Sequence, residues 1–352
     1  MAGPPDPYIG FIRILEPVLH NSKTLLKQKT IHDENVNKEN SMSNTQGTII
    51  ITGVAGFIGS HVARYFSEHG WGIIGIDSTP VSEDLPVSLS SYHCLNLPDP
   101  AFSVLLKASS PQLCIHCAGS ASVGQSINDI SADFYANTVL TFEVLNALRV
   151  NAPNCRLLFL SSAAVYGNPA SLPIDENQPP APISPYGFHK LQCEQLCEEF
   201  SKIYDLSTAS VRIFSAYGRG LRRQVIWDIC KKSINQKSIT LQGTGKESRD
   251  FVHVIDIAKA LMAIATSAPM NGEFYNIGSG RETKIAELAN MVIAALGHSY
   301  SIRFDGVIPS GTPLNWQADI SKIAALGYIP SISLEEGIKT FVDWCRLELE
   351  DV

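Results

Sequence analysis

Apolar positions in this chain follow two spacings. Short aliphatic and β-branched runs at 48–52, 72–77, 113–117 and 156–160 are too brief for helices and nearly continuous, the pattern of strands covered on both faces. Between them, at 60–69, 102–109 and 137–150, apolar residues return every three or four positions, the pattern of helices with one buried stripe. Strand alternating with helix predicts a doubly wound parallel sheet, with helices on both faces, over residues 47–200. After Ser201 the alternation loosens into connections carrying Gly218, Gly220, Gly243 and Gly245, then returns to helices at 257–266, 284–296 and 334–347. Residues 201–352 therefore read as a smaller portion interleaved with the sheet. Residues 1–46 differ: the polar tract from His32 to Ser41 has little to bury, so they read as a mostly disordered extension, and Met42 would suffice as a start for the domain.

The stretch that organises this pattern is Thr48-Ile-Ile-Ile-Thr-Gly-Val-Ala-Gly-Phe-Ile-Gly59. A buried strand turns sharply at Gly53 and Gly56 into a helix, and Gly59 allows close packing of that helix. Bare backbone there lets N–H groups reach phosphate oxygens, and the helix start adds about half a positive charge. The next strand ends in Asp77, about 20 residues beyond the glycines, where an acid accepts hydrogen bonds from an adenosine ribose. Ser78, Thr79 and Pro80 follow instead of an Arg or Lys to meet a 2′-phosphate, so the expected cofactor is NAD on a Rossmann-type fold. Small and polar residues mark the other strand ends: Ala118, Gly119 and Ser120 after 113–117, and Ser161 and Ser162 after 156–160.

Composition narrows the partners. The chain has 352 residues, 45% hydrophobic, with a formal charge of −7, which argues against nucleic-acid or membrane-surface binding. No apolar run reaches the roughly 20 residues of a membrane span. The segment from Tyr8 to Leu19 carries Arg13 and Glu16 and lacks a small-residue cleavage site, which argues against a signal peptide and for a cytoplasmic protein. Of eight cysteines, Cys114 and Cys117 sit in a strand, where a separation of three turns them to opposite faces. Cys193 and Cys197 share a helix face with no further ligand, so reduced thiols and no metal are expected.

Tyr186 and Lys190 lie four apart in Ser184-Pro-Tyr-Gly-Phe-His-Lys190, on one face of a helix that Pro185 opens. A neighbouring ammonium favours a tyrosine's phenolate, so the pair reads as a general base. Ser162, at a strand end beside the cofactor crevice, is the hydroxyl placed to share the reacting proton.

With these motifs in hand, the chain resembles the extended short-chain dehydrogenase/reductases, specifically the NAD-dependent epimerase/dehydratase family acting on nucleotide sugars. The resemblance runs from about Thr48 to Trp344. It adds Arg212-Ile-Phe-Ser-Ala-Tyr-Gly218, Arg249-Asp-Phe-Val-His-Val254 with Asp256, and Tyr275-Asn-Ile-Gly278 to the motifs above. It implies that Tyr186 takes a proton from a sugar hydroxyl, that Lys190 holds the nicotinamide ribose and that Ser162 bonds the reacting oxygen. Cofactor contacts implied are Gly53, Gly56, Phe57, Ile58, Gly59, Asp77, Ala118, Gly119, Ser120, Ser161, Tyr186 and Lys190. Substrate contacts implied are Ser122, Ser162, Tyr186, Ser215, Arg249 and Trp316, with 201–352 as the mostly substrate-binding portion.

Family dehydratases resemble this chain except that Asp and Glu typically follow the catalytic hydroxyl, where Ala163 and Ala164 stand here, so the resemblance implies a 4-epimerase working through a 4-keto sugar, on a UDP-sugar for polysaccharide or O-antigen synthesis. A dehydratase, a 4-keto reductase and a non-catalytic dinucleotide-binding sensor are the alternatives. His253 and Asp256 read equally as a buried polar group and a helix cap. Arg222 and Arg223 read as a solvated turn or, facing the pocket, as partners of a uronic acid carboxylate or of the diphosphate. Ser215 stands where UDP-galactose epimerases usually have Asn, and Thr312 near the position of an acid. The resemblance further implies a homodimer that pairs the helices from Asn137 and Tyr186 into a four-helix bundle.

Overall fold

In the computed structural model the described residues are 46–80, 89–235, 238–299 and 302–350; the extension at 1–45 lies outside them. The first part of the chain runs β1 (Gly47–Thr52), α1 (Phe57–Glu68), β2 (Trp71–Asp77), β3 (Ser91–Cys94), α2 (Pro100–Ser109), β4 (Leu113–His116), α3 (Val123–Asn128) and α4 (Ile130–Phe134). A π-helical turn, Tyr135–Val139, leads into α5 (Leu140–Asn151), then β5 (Arg156–Ser162), a 3-10 turn (Ala163–Tyr166) and α6 (Pro185–Tyr204). Next come β6 (Thr208–Ile213), β7 (Ser215–Tyr217), α7 (Gln224–Asn235), β8 (Ile239–Leu241), β9 (Ser248–His253) and α8 (Val254–Ser267). The chain closes with β10 (Asn271–Ile277), β11 (Glu282–Lys284), α9 (Ile285–Ala295), β12 (Ile302–Phe304), α10 (Ser321–Ala324) and α11 (Leu334–Glu350).

Seven strands form the central sheet in the order β10-β6-β5-β4-β1-β2-β3, every pair parallel. The isoleucines of β1 explain the two-sided burial. Ile49 and Ile51 pack with Val62 and Phe66 of α1 and Ile257 and Leu261 of α8, while Ile50 packs with Leu106 of α2, Leu145 of α5 and Cys197 of α6. Cys114 and Cys117 fall on opposite faces as their spacing requires, and all eight cysteines are free thiols. A further apolar cluster joins α7, α9 and α11 through Ile229, Leu288, Val292, Ile338 and Phe341.

The pattern reading missed three strands of the sheet. β3 is four residues long and only partly buried; β6 is wholly buried but interrupted by Ser210 and Arg212; β10 carries the polar Asn276. Arg212, 2% exposed, bonds both Glu194 carboxylate oxygens through Nε and Nη2 and donates from Nη1 to the Tyr166 hydroxyl. Tyr166 in turn donates to Asn276 Oδ1, and Ser161 donates to Glu194. The strand hides a cation because Glu194 and Tyr166 pair it and are themselves hydrogen-bonded.

Candidate active site

The turn from β1 into α1 is shaped by backbone alone. Gly53 has φ +69°, and a Cβ there would lie 2.6 Å from the Ala118 nitrogen. A Cβ on Gly59 would lie 2.1 Å from the Gly53 carbonyl oxygen, so the first helical turn touches the loop that precedes it. The helix begins at Phe57, three residues earlier than the apolar pattern predicts, with no side-chain cap on Gly56. Its first N–H groups are thus left for an anion. Asp77 at the end of β2 accepts from the Ala55 and Thr79 nitrogens, both at 3.0 Å, and so fixes the acid against the turn.

This turn borders a cavity of about 590 Å³ at the carboxyl ends of the strands, where the strand order reverses between β1 and β4. Gly53, Gly56, Phe57, Ile58, Gly59, Gly119, Ser120, Ser161, Ser162, Tyr186, Lys190, Ser215, Arg249 and Trp316 all line it. Three predicted residues do not. Asp77 lies behind the turn, and Ala118 packs beneath it with its nitrogen 3.4 Å from Thr52 Oγ1. Ser122 uses its Oγ to cap α3, accepting from the Gln125 nitrogen at 3.2 Å, between lining neighbours Ala121 and Val123.

Tyr186 occupies the first turn of α6, which Ser184 caps through the Gly187 nitrogen at 3.2 Å. Its own nitrogen donates to Ser126 Oγ at 3.1 Å. Lys190 Nζ lies 5.8 Å from the Tyr186 ring centre and donates to the Leu160 carbonyl at 3.0 Å. Ser162, at the end of β5, accepts from the Ala164 nitrogen at 3.1 Å and leaves its hydroxyl proton free to bond into the cavity. Beneath them His116 stays neutral, pushed down to about 3 by burial and by the charge of Lys190; Thr52 Oγ1 lies 2.7 Å from its Nδ1. Burial pushes the Cys117 thiol up to about 12, which removes it as a nucleophile.

Another part of the lining is made of side chains. Trp316 Nε1 donates to the Gly167 carbonyl at 2.9 Å, and its ring stands edge-on to Phe214. The Arg249 guanidinium lies 5.4 Å over the Trp316 ring, tied by Nη1 to the Ser248 and Leu314 carbonyls. Burial lowers it to about 10, so it keeps its charge at neutral pH, and among the described residues it forms no ion pair. Among the described residues of the lining, Lys190, Arg223 and Arg249 are charged and no carboxylate appears. Ala163 and Ala164 are buried among Val165, Tyr186, Phe214 and Trp316.

His253 and Asp256 lie off the cavity. His253 caps α8 by accepting from the Ile255 nitrogen at 3.3 Å, and burial holds it down to about 4. Asp256 accepts from Ser331 and Ile332 and ties down the chain ahead of α11. Sequence reasoning passed over Asn137, because a regular helix was expected there. The π turn places it 1% exposed beside Gly119, with Oδ1 lacking any protein partner. A buried amide in an apolar helix was the available signal. Free helical N–H groups, a glycine cradle and this orphaned oxygen fit a bound dinucleotide.

The model of the NAD-dependent epimerase/dehydratase family matches residues 49–278. The chain belongs to that family. NAD is the cofactor of this epimerase/dehydratase fold. A putative UDP-glucose 4-epimerase of Methanocaldococcus jannaschii is 30% identical over 85% of this chain and 98% of its own length. The Thermotoga maritima UDP-glucose 4-epimerase, solved with UDP-glucose, superposes with a TM-score of 0.79 at 27% identity, covering 86% of this chain and 99% of that one. The Bacillus cereus UDP-glucuronic acid 4-epimerase, solved with UDP-glucuronic acid and NAD, gives 0.78 at 26% identity, with the same coverage.

Proposed function

We propose that this chain is a UDP-sugar 4-epimerase that works through a transient 4-keto sugar. The observation that carries the reading is a cavity lined by Tyr186, Ser162 and Lys190 with no carboxylate among the described residues that line it. NAD supplies a hydride acceptor that can return the hydride to either face. Tyr186 takes the proton of the sugar C4 hydroxyl while Ser162 bonds the same oxygen, and Lys190 keeps a positive charge beside the ring as the proton moves. Tyr186 then gives the proton back after the keto sugar has turned over. Arg249 grips the diphosphate, and Trp316 limits the width of the sugar pocket.

Elimination of water would need an acid and a base at C5 and C6; the alanines at 163 and 164 offer neither, which favours epimerisation over dehydration. Eight free thiols fit a reducing cytoplasm, where the product would feed polysaccharide or O-antigen precursors. Exposed Phe142, Val150, Phe188 and Tyr204 on α5 and α6 support a homodimer through a four-helix bundle. The test is incubation of the purified protein with UDP-sugars in heavy water, followed by NMR. A C4 epimer without deuterium at C5 supports the reading. A 4-keto-6-deoxy product, or deuterium beside the ketone, overturns it.

A further inference from the structure

Two adjacent arginines at the start of α7 go separate ways. Arg222 turns to α11, where Nε and Nη2 bond Glu348 at 2.9 and 2.7 Å and the guanidinium lies 5.7 Å over the Trp344 ring. Its charge is satisfied away from the cavity. Arg223 turns the other way and lines the cavity, donating from Nη1 to the Ala121 carbonyl on the far side of the cleft. Four of its five N–H donors have no protein acceptor among the described residues. Among the described residues no carboxylate borders the cavity to neutralise it.

Its anchor places it. Ala121 belongs to the segment that runs on to Ser126, whose Oγ receives the Tyr186 nitrogen. Arg223 is therefore tied to the wall that carries Tyr186. Arg249 has different anchors, the Ser248 and Leu314 carbonyls and the Trp316 ring. One guanidinium suffices for a diphosphate's paired oxygens. A neutral hexose brings no second anion for the other, whereas a hexuronic acid carries its carboxylate on C5, one bond from the reacting C4.

Resting on the epimerase reading above, we propose that Arg223 is a specificity-determining residue that binds the sugar carboxylate, and that the preferred substrate is a nucleoside-diphosphate hexuronic acid. The chemistry recognised is an oxyanion beside Tyr186, and a diphosphate offers the same chemistry, so the test must separate the two.

Calorimetry of the NAD-loaded enzyme with UDP, UDP-glucose and UDP-glucuronate makes that separation, using wild type, Arg223→Gln, Arg223→Lys and Arg222→Gln, each with its thermal midpoint as a folding check. Arg223→Gln should weaken UDP-glucuronate about 10- to 100-fold and leave UDP and UDP-glucose within about twofold. Arg223→Lys should recover part of the loss, and Arg222→Gln should change nothing. Equal weakening of all three ligands would show that Arg223 reads the diphosphate and overturn the proposal, as would no weakening at all. C4 epimerisation is followed separately by NMR. Selective binding without epimer formation would leave the role of Arg223 standing and remove the epimerase reading instead.

Discussion

On the side of the cleft proposed for the cofactor, three glycines and an uncapped helix start shape the surface from backbone; on the side proposed for the substrate, Arg249, Trp316, Phe214 and Arg223 come from separated segments and act through side chains. The difference governs what substitution does. A change on the first wall acts by shape, because an added Cβ collides with main chain that has nowhere to go. A change on the second acts by chemistry, because shortening a side chain there removes its contacts without adding a collision.

The sharpest probe sits at the seam. Tyr186→Phe removes only an oxygen, so turnover should fall about 10²- to 10⁴-fold while bound NAD, read from absorbance of the denatured protein's supernatant, stays at wild-type content. Full turnover would mean that another group takes the proton. On the backbone wall, Gly59→Ala drives a Cβ to 2.1 Å from the Gly53 oxygen; cofactor should be lost on purification and unfolding free energy should drop by about 1–3 kcal/mol. Retained NAD would show that the loop yields and that shape does not rule this side. On the side-chain wall, Arg249→Gln should weaken UDP by about 1.5–3 kcal/mol with NAD content and thermal midpoint unchanged. Smallest is Asp77→Ala, which removes an acid held by two backbone N–H groups and should weaken NAD by about 1–2 kcal/mol in competition titrations. If its effect on substrate equalled its effect on NAD, the division between the walls would fail.

What could be read from the sequence follows the same division. The glycine turn, the two-sided strands and the Tyr186–Lys190 pair rest on constraints within a few residues, and the structure places them as local chemistry requires. The strands from Thr208 and Asn271 escaped because Ser210, Arg212 and Asn276 break their apolar runs, and only tertiary partners make Arg212 and Asn276 tolerable inside. Nor does any local rule separate Arg222 from Arg223: their directions depend on Glu348, more than 100 residues on, and on Ala121, about as far back. Ser122 had the right residue type one position from the cavity, but the start of α3 claimed its hydroxyl.

The buried Arg212 has a consequence for how the strands find their places. β6 is apolar on the face that carries Ala209, Val211 and Ile213, so sliding it by two residues would keep every side chain on its own face and leave that apolar face buried. It would carry the guanidinium about 6.6 Å along the sheet, out of reach of Glu194 and Tyr166 and into hydrocarbon. Arg212 lies level with Ser161 on one neighbour and Asn276 on the other. That polar row acts as an alignment mark across three strands, and it fixes where β5 ends and so how far Ser162 reaches toward Tyr186.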